Sequence, residues 1–140
     1  MKKFVVDASV AVKWFVPEIH SAAASRLLDP EIVICAPDLI VPEFGNTLWK
    51  KMRRREITRR EAEEILAAFD ALPLEVYPSR VLLQAAFELA TATDRTVYDS
   101  IYVALAVAQD CAVVTADRKS WSAVEASPLA DHVHWIEDDV

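Results

Sequence analysis

The 140-residue sequence contains a single glycine, Gly45. Loops that cradle the phosphates of ATP or of dinucleotides need glycines, because only glycine lets the backbone approach a phosphate closely. Nucleotide sites of the P-loop and Rossmann types are therefore excluded. Cysteine is also scarce: Cys35 and Cys111 lie far apart in apolar segments, and we expect buried, reduced thiols there.

Long apolar runs are absent as well. The longest candidate, residues 100–109, is about half the length that a membrane-spanning helix needs. The N-terminal segment resembles a signal peptide in its basic start, but Asp7 and Lys13 interrupt the apolar stretch that follows. We expect a cytoplasmic protein with no membrane span, folded as one domain over residues 1–140, which is long enough to bury a core without disulfides or a structural metal.

Basic residues are in the minority, with 15 Lys and Arg against 22 Asp and Glu. The net charge of -7 argues against general nucleic-acid binding. However, seven of the basic residues lie in the basic segment, residues 50–60 (KKMRRREITRR), together with one acid. This segment is a candidate for RNA contact or for contact with an acidic partner, and a solvated helix end is the simpler interpretation. The candidate RNA-binding residues are Lys50, Lys51, Arg53, Arg54 and Arg55.

The apolar pattern predicts an α/β fold. Short strands are expected at residues 4–6, 32–36, 74–77, 111–115 and 132–136. Helical patterns occupy 8–15, 20–28, 38–55, 58–72, 79–91, 96–109 and 117–125. Short strands that are apolar on both faces and alternate with helices indicate a parallel sheet covered on both sides.

Four acidic residues stand out by their positions. Asp7 follows the first strand and Asp117 the fourth, which places both at the carboxyl edge of a parallel sheet, where ligands bind. Glu43 and Asp99 each stand alone in an apolar helical segment, and we expect the Asp99 carboxylate to be largely buried, with no Lys or Arg in the same segment. Taken singly, each of these residues is most often a helix cap or a partner of the helix dipole.

Taken together, the four acids predict a metal site. Carboxylates that converge repel one another and raise one another's pKa, whereas a divalent cation stabilises their ionised forms. A set of oxygen ligands without His or Cys suits Mg²⁺ or Mn²⁺. Such centres support in-line displacement at phosphorus by a metal-activated water.

Four segments, FVVDASVAVKWF, PDLIVPEFGNTLWK, TVYDSIYVALA and VVTADRKSW, resemble in sequence and order those of PIN-domain ribonucleases. The resemblance is closest to the VapC-type toxins of type II toxin–antitoxin systems. It implies a three-layer α/β/α fold with a short, mainly parallel five-stranded sheet and about seven helices. It also implies an endoribonuclease that depends on Mg²⁺ or Mn²⁺, acts on RNA, forms a homodimer and is blocked by a small antitoxin.

The same resemblance assigns roles to individual residues. The catalytic and metal-binding set would be Asp7, Glu43, Asp99 and Asp117, and the supporting hydroxyls that orient carboxylates or water would be Ser9 and Thr115. Many family members carry a further acidic or amide residue just after the last aspartate, where this chain has Arg118 and Lys119. A one-metal site and a second ion recruited by the substrate phosphate both remain open.

Other functions fit the sequence less well. A phosphatase with Asp7 as nucleophile would need a second aspartate two positions later, where Ser9 stands. A receiver-like phospho-switch would need an aspartate after a middle strand and a lysine after the last, and neither is present. A PIN-like scaffold that does not cleave RNA is disfavoured by the complete acidic set. The choice between a toxin and a housekeeping nuclease stays open, as do the RNA and the antitoxin.

Overall fold

The computed structural model describes residues 1–140 and contains a five-stranded sheet. The strands are β1 (Lys2–Val5), β2 (Ile32–Pro37), β3 (Glu75–Tyr77), β4 (Ala112–Thr115) and β5 (Val133–Trp135). Their order across the sheet is β3-β2-β1-β4-β5, and every neighbouring pair is parallel. The sheet is therefore wholly parallel, with β1 at its centre.

Seven α-helices connect the strands. They are α1 (Ala8–Ala11), α2 (Ser21–Ser25), α3 (Ile40–Arg53), α4 (Arg59–Asp70), α5 (Leu83–Thr93), α6 (Val97–Ala108) and α7 (Arg118–Glu125). The first two are shorter than the sequence pattern predicts, because each tightens into a 3₁₀ turn, at Val12–Trp14 and at Arg26–Leu28. Another 3₁₀ turn, Ser79–Leu82, precedes α5, and a fourth, Ala130–His132, occupies the predicted start of β5.

The helices cover both faces of the sheet. Successive strand residues point to opposite faces, so Phe4 and Val6 belong to a core of 20 buried residues that includes residues of α1 to α4. Val5 belongs to the second core, of 10 buried residues, beneath α5 and α6. This arrangement confirms the expected three-layer α/β/α fold.

Local sequence signals explain how the helices on the first face are held. Thr58 and Glu61 form the capping box that begins α4, each side chain bonding to the other's backbone N–H. In α3, the buried Phe44 stacks on Phe69 of α4 with ring centroids 4.0 Å apart. These contacts fix α3 against the core and thereby position its first turn at the carboxyl edge of the sheet.

The single glycine and the two cysteines have no special structural role. Gly45 lies inside α3, with nothing within 4 Å of the position a Cβ would occupy. Cys35 is buried, Cys111 is half-buried, and both are free thiols. No helix combines the length and apolar character needed to cross a membrane.

Candidate active site

The carboxyl edge of the sheet carries the cleft that unites the predicted acids. The cleft has a volume of about 300 Å³, and Asp7, Glu43 and Asp99 all line it. Its other polar lining residues are Ser9, Asn46, Thr47, Lys50, Arg95, Tyr102, Thr115 and Ser120. Three carboxylates from distant parts of the chain therefore share one solvent-accessible space with two basic side chains.

Asp7 begins α1 directly after the central strand and is held in one orientation. Its Oδ1 accepts hydrogen bonds from the backbone N–H of Val10 at 2.9 Å and from the Ser9 hydroxyl at 2.8 Å. Burial raises the pKa of the Asp7 carboxyl, and the nearby Asp99 adds to the rise, although both hydrogen bonds and Lys13 oppose it. Asp7 is thus both a helix cap and a carboxylate that a cation would stabilise.

Glu43 lies in the first turn of α3 and receives a hydrogen bond from the hydroxyl of Tyr102 on α6. Burial raises the pKa of Glu43, and the charges of Asp7 and Asp99 raise it further, while the Tyr102 hydrogen bond acts in the opposite direction. Burial and the hydrogen bond to Glu43 in turn raise the pKa of Tyr102, so its hydroxyl remains a donor. Tyr102 therefore fixes the Glu43 carboxylate across the cleft.

Asp99 departs from the expectation of burial. It lies in the first turn of α6 with 57% of its side chain exposed, because this turn emerges from the second core at the edge of the sheet. Its Oδ2 accepts a hydrogen bond from Arg95 Nη2 at 3.2 Å. Although the apolar segment around Asp99 contains no Lys or Arg, the arginine four residues earlier reaches the carboxylate from the preceding turn.

Asp117 begins α7 and lies beside the cleft rather than in its wall. The Ser120 hydroxyl donates to Asp117 Oδ2 at 2.8 Å and, with the backbone N–H of Lys119, holds the pKa of this carboxyl below its usual value. The Thr115 hydroxyl accepts from the Asp117 backbone N–H at 3.1 Å, so it orients the start of α7 and not a carboxylate. Ser9, in contrast, bonds a carboxylate directly.

The chemistry of the donor set fits a hard divalent cation. Every candidate ligand offers oxygen, and the two carboxylates with raised pKa values are those that a cation would relieve of burial and mutual repulsion. As the side chains stand, no three acidic or imidazole groups are gathered into a ready-made metal centre. Coordination by all four acids at once would thus require side-chain rotation or bridging water.

In the basic segment, one lysine forms an internal ion pair and the other predicted RNA-binding residues are accessible. Lys51 is only 15% exposed and its Nζ lies 2.7 Å from Glu18 Oε2, so this lysine serves an internal ion pair. Lys50 lines the cleft, and Arg53, Arg54 and Arg55 are exposed at the end of α3 and just beyond it. Four of the five residues predicted to bind RNA are therefore accessible.

Comparison with known proteins gives the chain a family. The PIN domain family model matches residues 4–126. Ribonuclease VapC3 from Pyrobaculum aerophilum is 38% identical over 121 residues, which is 84% of this chain and 91% of that protein. Ribonuclease VapC1 from Mycobacterium tuberculosis is 35% identical over 123 residues, covering 85% and 89%. The chain belongs to the PIN-domain family of VapC-type ribonucleases.

Two solved structures have the same fold as this chain at low sequence identity. The crystal structure of PAE2754 from Pyrobaculum aerophilum superposes with a TM-score of 0.64 at 21% identity, covering 97% of this chain and 92% of that one. VapBC2 from Rickettsia felis, bound to a DNA fragment from its promoter, gives 0.61 at 11% identity, with 95% and 96% covered. These two likenesses support the fold alone.

Three residues that line this VapC-type cleft are not among those predicted from the sequence. Tyr102 follows Asp99 by three positions on α6, so helical spacing alone places both on one face. Arg95 precedes Asp99 by four positions, about one helical turn, and lies just before the apolar segment. Ser120 is the third residue after Asp117, the spacing at which a side chain can reach back to a helix cap.

Proposed function

We propose that this chain is an endoribonuclease that depends on Mg²⁺ or Mn²⁺ and acts in the cytoplasm as the toxin of a toxin–antitoxin pair. The observation that carries the proposal is the convergence of Asp7, Glu43 and Asp99 in one cleft at the carboxyl edge of the sheet. The relatives named as VapC ribonucleases support RNA as the substrate.

Each side chain has a defined part in this mechanism. Asp7 and Glu43 would hold the ion, with Asp99 and Asp117 completing its shell directly or through water. When bound, the ion supplies an activated water and stabilises the charge that develops on the phosphate. Ser9 and Tyr102 hold the Asp7 and Glu43 carboxylates in place by hydrogen bonds. These two side chains therefore need not reorient when substrate binds.

The basic segment offers a path for the RNA backbone to the cleft. Lys50 stands in the cleft wall, and the exposed Arg53, Arg54 and Arg55 continue from it along and past the end of α3. Phosphates bound along this line would deliver the strand toward Glu43, at the other end of the same helix.

Charge neutralisation tests this path. Replacing Lys50, Arg53, Arg54 and Arg55 with Gln should weaken binding of a single-stranded RNA and flatten its dependence on salt. Lys51→Gln is the matched comparison, because its ammonium is engaged by Glu18 and should contribute nothing to the salt slope. An unchanged slope in the fourfold variant would refute the assignment.

The similar proteins also support a proposal about partners. One solved neighbour is VapBC2 from Rickettsia felis, and we propose that a small antitoxin binds this chain and covers the cleft. We also propose that the chain forms a homodimer and that its RNA cleavage inhibits translation. Light scattering on the purified protein checks the dimer, and protein synthesis in a cell-free extract checks the inhibition.

Cleavage by the purified protein tests the enzyme itself. With Mn²⁺ or Mg²⁺ the wild-type chain should cleave RNA, chelation should stop it, and Asp99→Asn should lower the rate at least a hundredfold. Asp70→Asn, an exposed carboxylate at the end of α4, should cleave at the wild-type rate. Full activity in Asp99→Asn would sink the proposed mechanism, and RNA binding without cleavage by the wild type would favour the scaffold alternative.

A further inference from the structure

Arg95 is the one basic residue that joins two of the predicted metal-binding acids. Its Nη2 donates to Asp99 Oδ2 at 3.2 Å and to the Ser120 hydroxyl at 2.6 Å. That hydroxyl donates in turn to Asp117 Oδ2 at 2.8 Å. Arg95 thus neutralises Asp99 directly and reaches Asp117 through one intervening serine.

The two halves of the cleft are therefore not equivalent. On one side Asp7 and Glu43 receive hydrogen bonds only from neutral groups, and their carboxyl pKa values are raised. On the other side Asp99 accepts a hydrogen bond from the Arg95 guanidinium, which is joined to Asp117 through the Ser120 hydroxyl. A first divalent cation would therefore gain most from binding to Asp7 and Glu43, and the guanidinium would repel a second ion placed between Asp99 and Asp117.

The guanidinium also has unused hydrogen-bonding capacity. Both of its protein hydrogen bonds come from Nη2, which leaves the Nε and Nη1 donors without a protein partner. Arg95 lines the cleft and its side chain is 22% exposed, so these donors are open to a ligand. Each of these N–H groups can donate a charge-assisted hydrogen bond to a phosphate oxygen.

We propose that Arg95 is a substrate-binding residue, a fixed cation that occupies the Asp99–Asp117 half of the cleft in place of a second divalent ion and binds an RNA phosphate there. This inference rests on the proposed nuclease function and refines it.

Two binding measurements test the proposal without relying on catalysis. Calorimetric titration with Mn²⁺ should give one ion per wild-type chain and two per Arg95→Gln chain, because the substitution removes the competing cation. In EDTA, fluorescence anisotropy with a single-stranded RNA should show about tenfold weaker binding by Arg95→Gln. The slope of log affinity against log salt should fall by about 0.7, the value for one lost phosphate contact.

Two further variants make the comparison sharp. Lys2→Gln removes an exposed cation at the start of β1, at the edge of the sheet opposite the cleft, and it should match the wild type in both assays. Arg95→Lys keeps the charge and should retain one Mn²⁺ and the wild-type salt slope. This variant preserves the test if Arg95→Gln does not fold.

The outcomes separate the inference from the function it rests on. Two Mn²⁺ ions in the wild type or in Arg95→Lys, or a wild-type salt slope in folded Arg95→Gln, would overturn the role of Arg95. If the wild type fails to cleave RNA with either metal, the proposed function falls. The Mn²⁺ stoichiometry still decides whether Arg95 excludes a second ion.

Discussion

Asp7 performs two tasks that two substitutions can separate. Its Oδ1 caps α1 by accepting from the Val10 N–H, and its charge lies in a half-buried position where its pKa is raised. Asp7→Asn keeps an oxygen that can cap the helix but removes the charge. Asp7→Ala removes both. We expect either variant to lose RNA cleavage, and Asp7→Asn to be the more stable of the two.

The magnitudes follow from the two contacts. Loss of an N-cap acceptor costs about 1 kcal/mol, which for a domain of this size lowers Tm by roughly 3 to 4 °C. Asp7→Ala should therefore be about 1 kcal/mol less stable than Asp7→Asn. Because burial raises the Asp7 pKa in the folded state, the folded chain binds more protons than the unfolded chain between the two pKa values, and stability falls as pH rises through that window.

The sign of the pH effect gives the assay. Metal-free wild type and Asp7→Asn should have similar urea-unfolding free energies below about pH 3, where Asp7 is protonated in both the folded and the unfolded chain. The Asn variant should become the more stable one as the pH rises to 8. Thr58→Ala, which removes the N-cap of α4 far from the cleft, controls for cap loss: it should cost a similar 1 kcal/mol yet leave cleavage intact. A wild type more stable than Asp7→Asn at pH 8 would refute the reasoning.

Three further predictions concern the cleft and the helix that carries Glu43. Tyr102→Phe removes a hydrogen bond that lowers the Glu43 pKa, so the pH midpoint of Mn²⁺ binding should move upward. Calorimetry over pH 5 to 8 measures this midpoint, and an unchanged value would contradict the prediction. Phe44→Ala removes a fully buried ring stacked on Phe69 and should cost about 3 to 5 kcal/mol in urea unfolding; a loss below 1 kcal/mol would show that the core closes around the gap. Gly45→Ala should stabilise α3 by about 0.5 to 1 kcal/mol, since open space surrounds the added methyl; destabilisation would reveal a contact that the structure lacks.

The sequence was most informative where one physical requirement dominated. Alternation of short apolar strands with helices could only be buried in a covered parallel sheet, and all five strands formed near their predicted positions. The Thr-x-x-Glu spacing of Thr58 and Glu61 is that of a capping box, and both of its hydrogen bonds form. Asp7 could be assigned to the carboxyl edge because it closely follows a parallel strand, and the structure places it in the cleft there.

Residue-level environment was harder to predict. Asp99 lies among apolar neighbours in sequence, yet the first turn of α6 projects beyond the second core and leaves the carboxylate exposed. Its partner Arg95 belongs to the turn between α5 and α6, where Asp94 adopts a left-handed conformation. Which way that turn directs a side chain depends on packing between helices, and local sequence pattern does not encode it.

The central position of β1 determines when the sheet and its cleft can form during synthesis of the chain. β1 pairs on one side with β2, about thirty residues later, but on the other side with β4, more than a hundred residues along the chain. Contacts of such long range form late, because most of the chain must be present to make them. The cleft of the proposed ribonuclease therefore stays incomplete until β4 has been synthesised and has paired with β1.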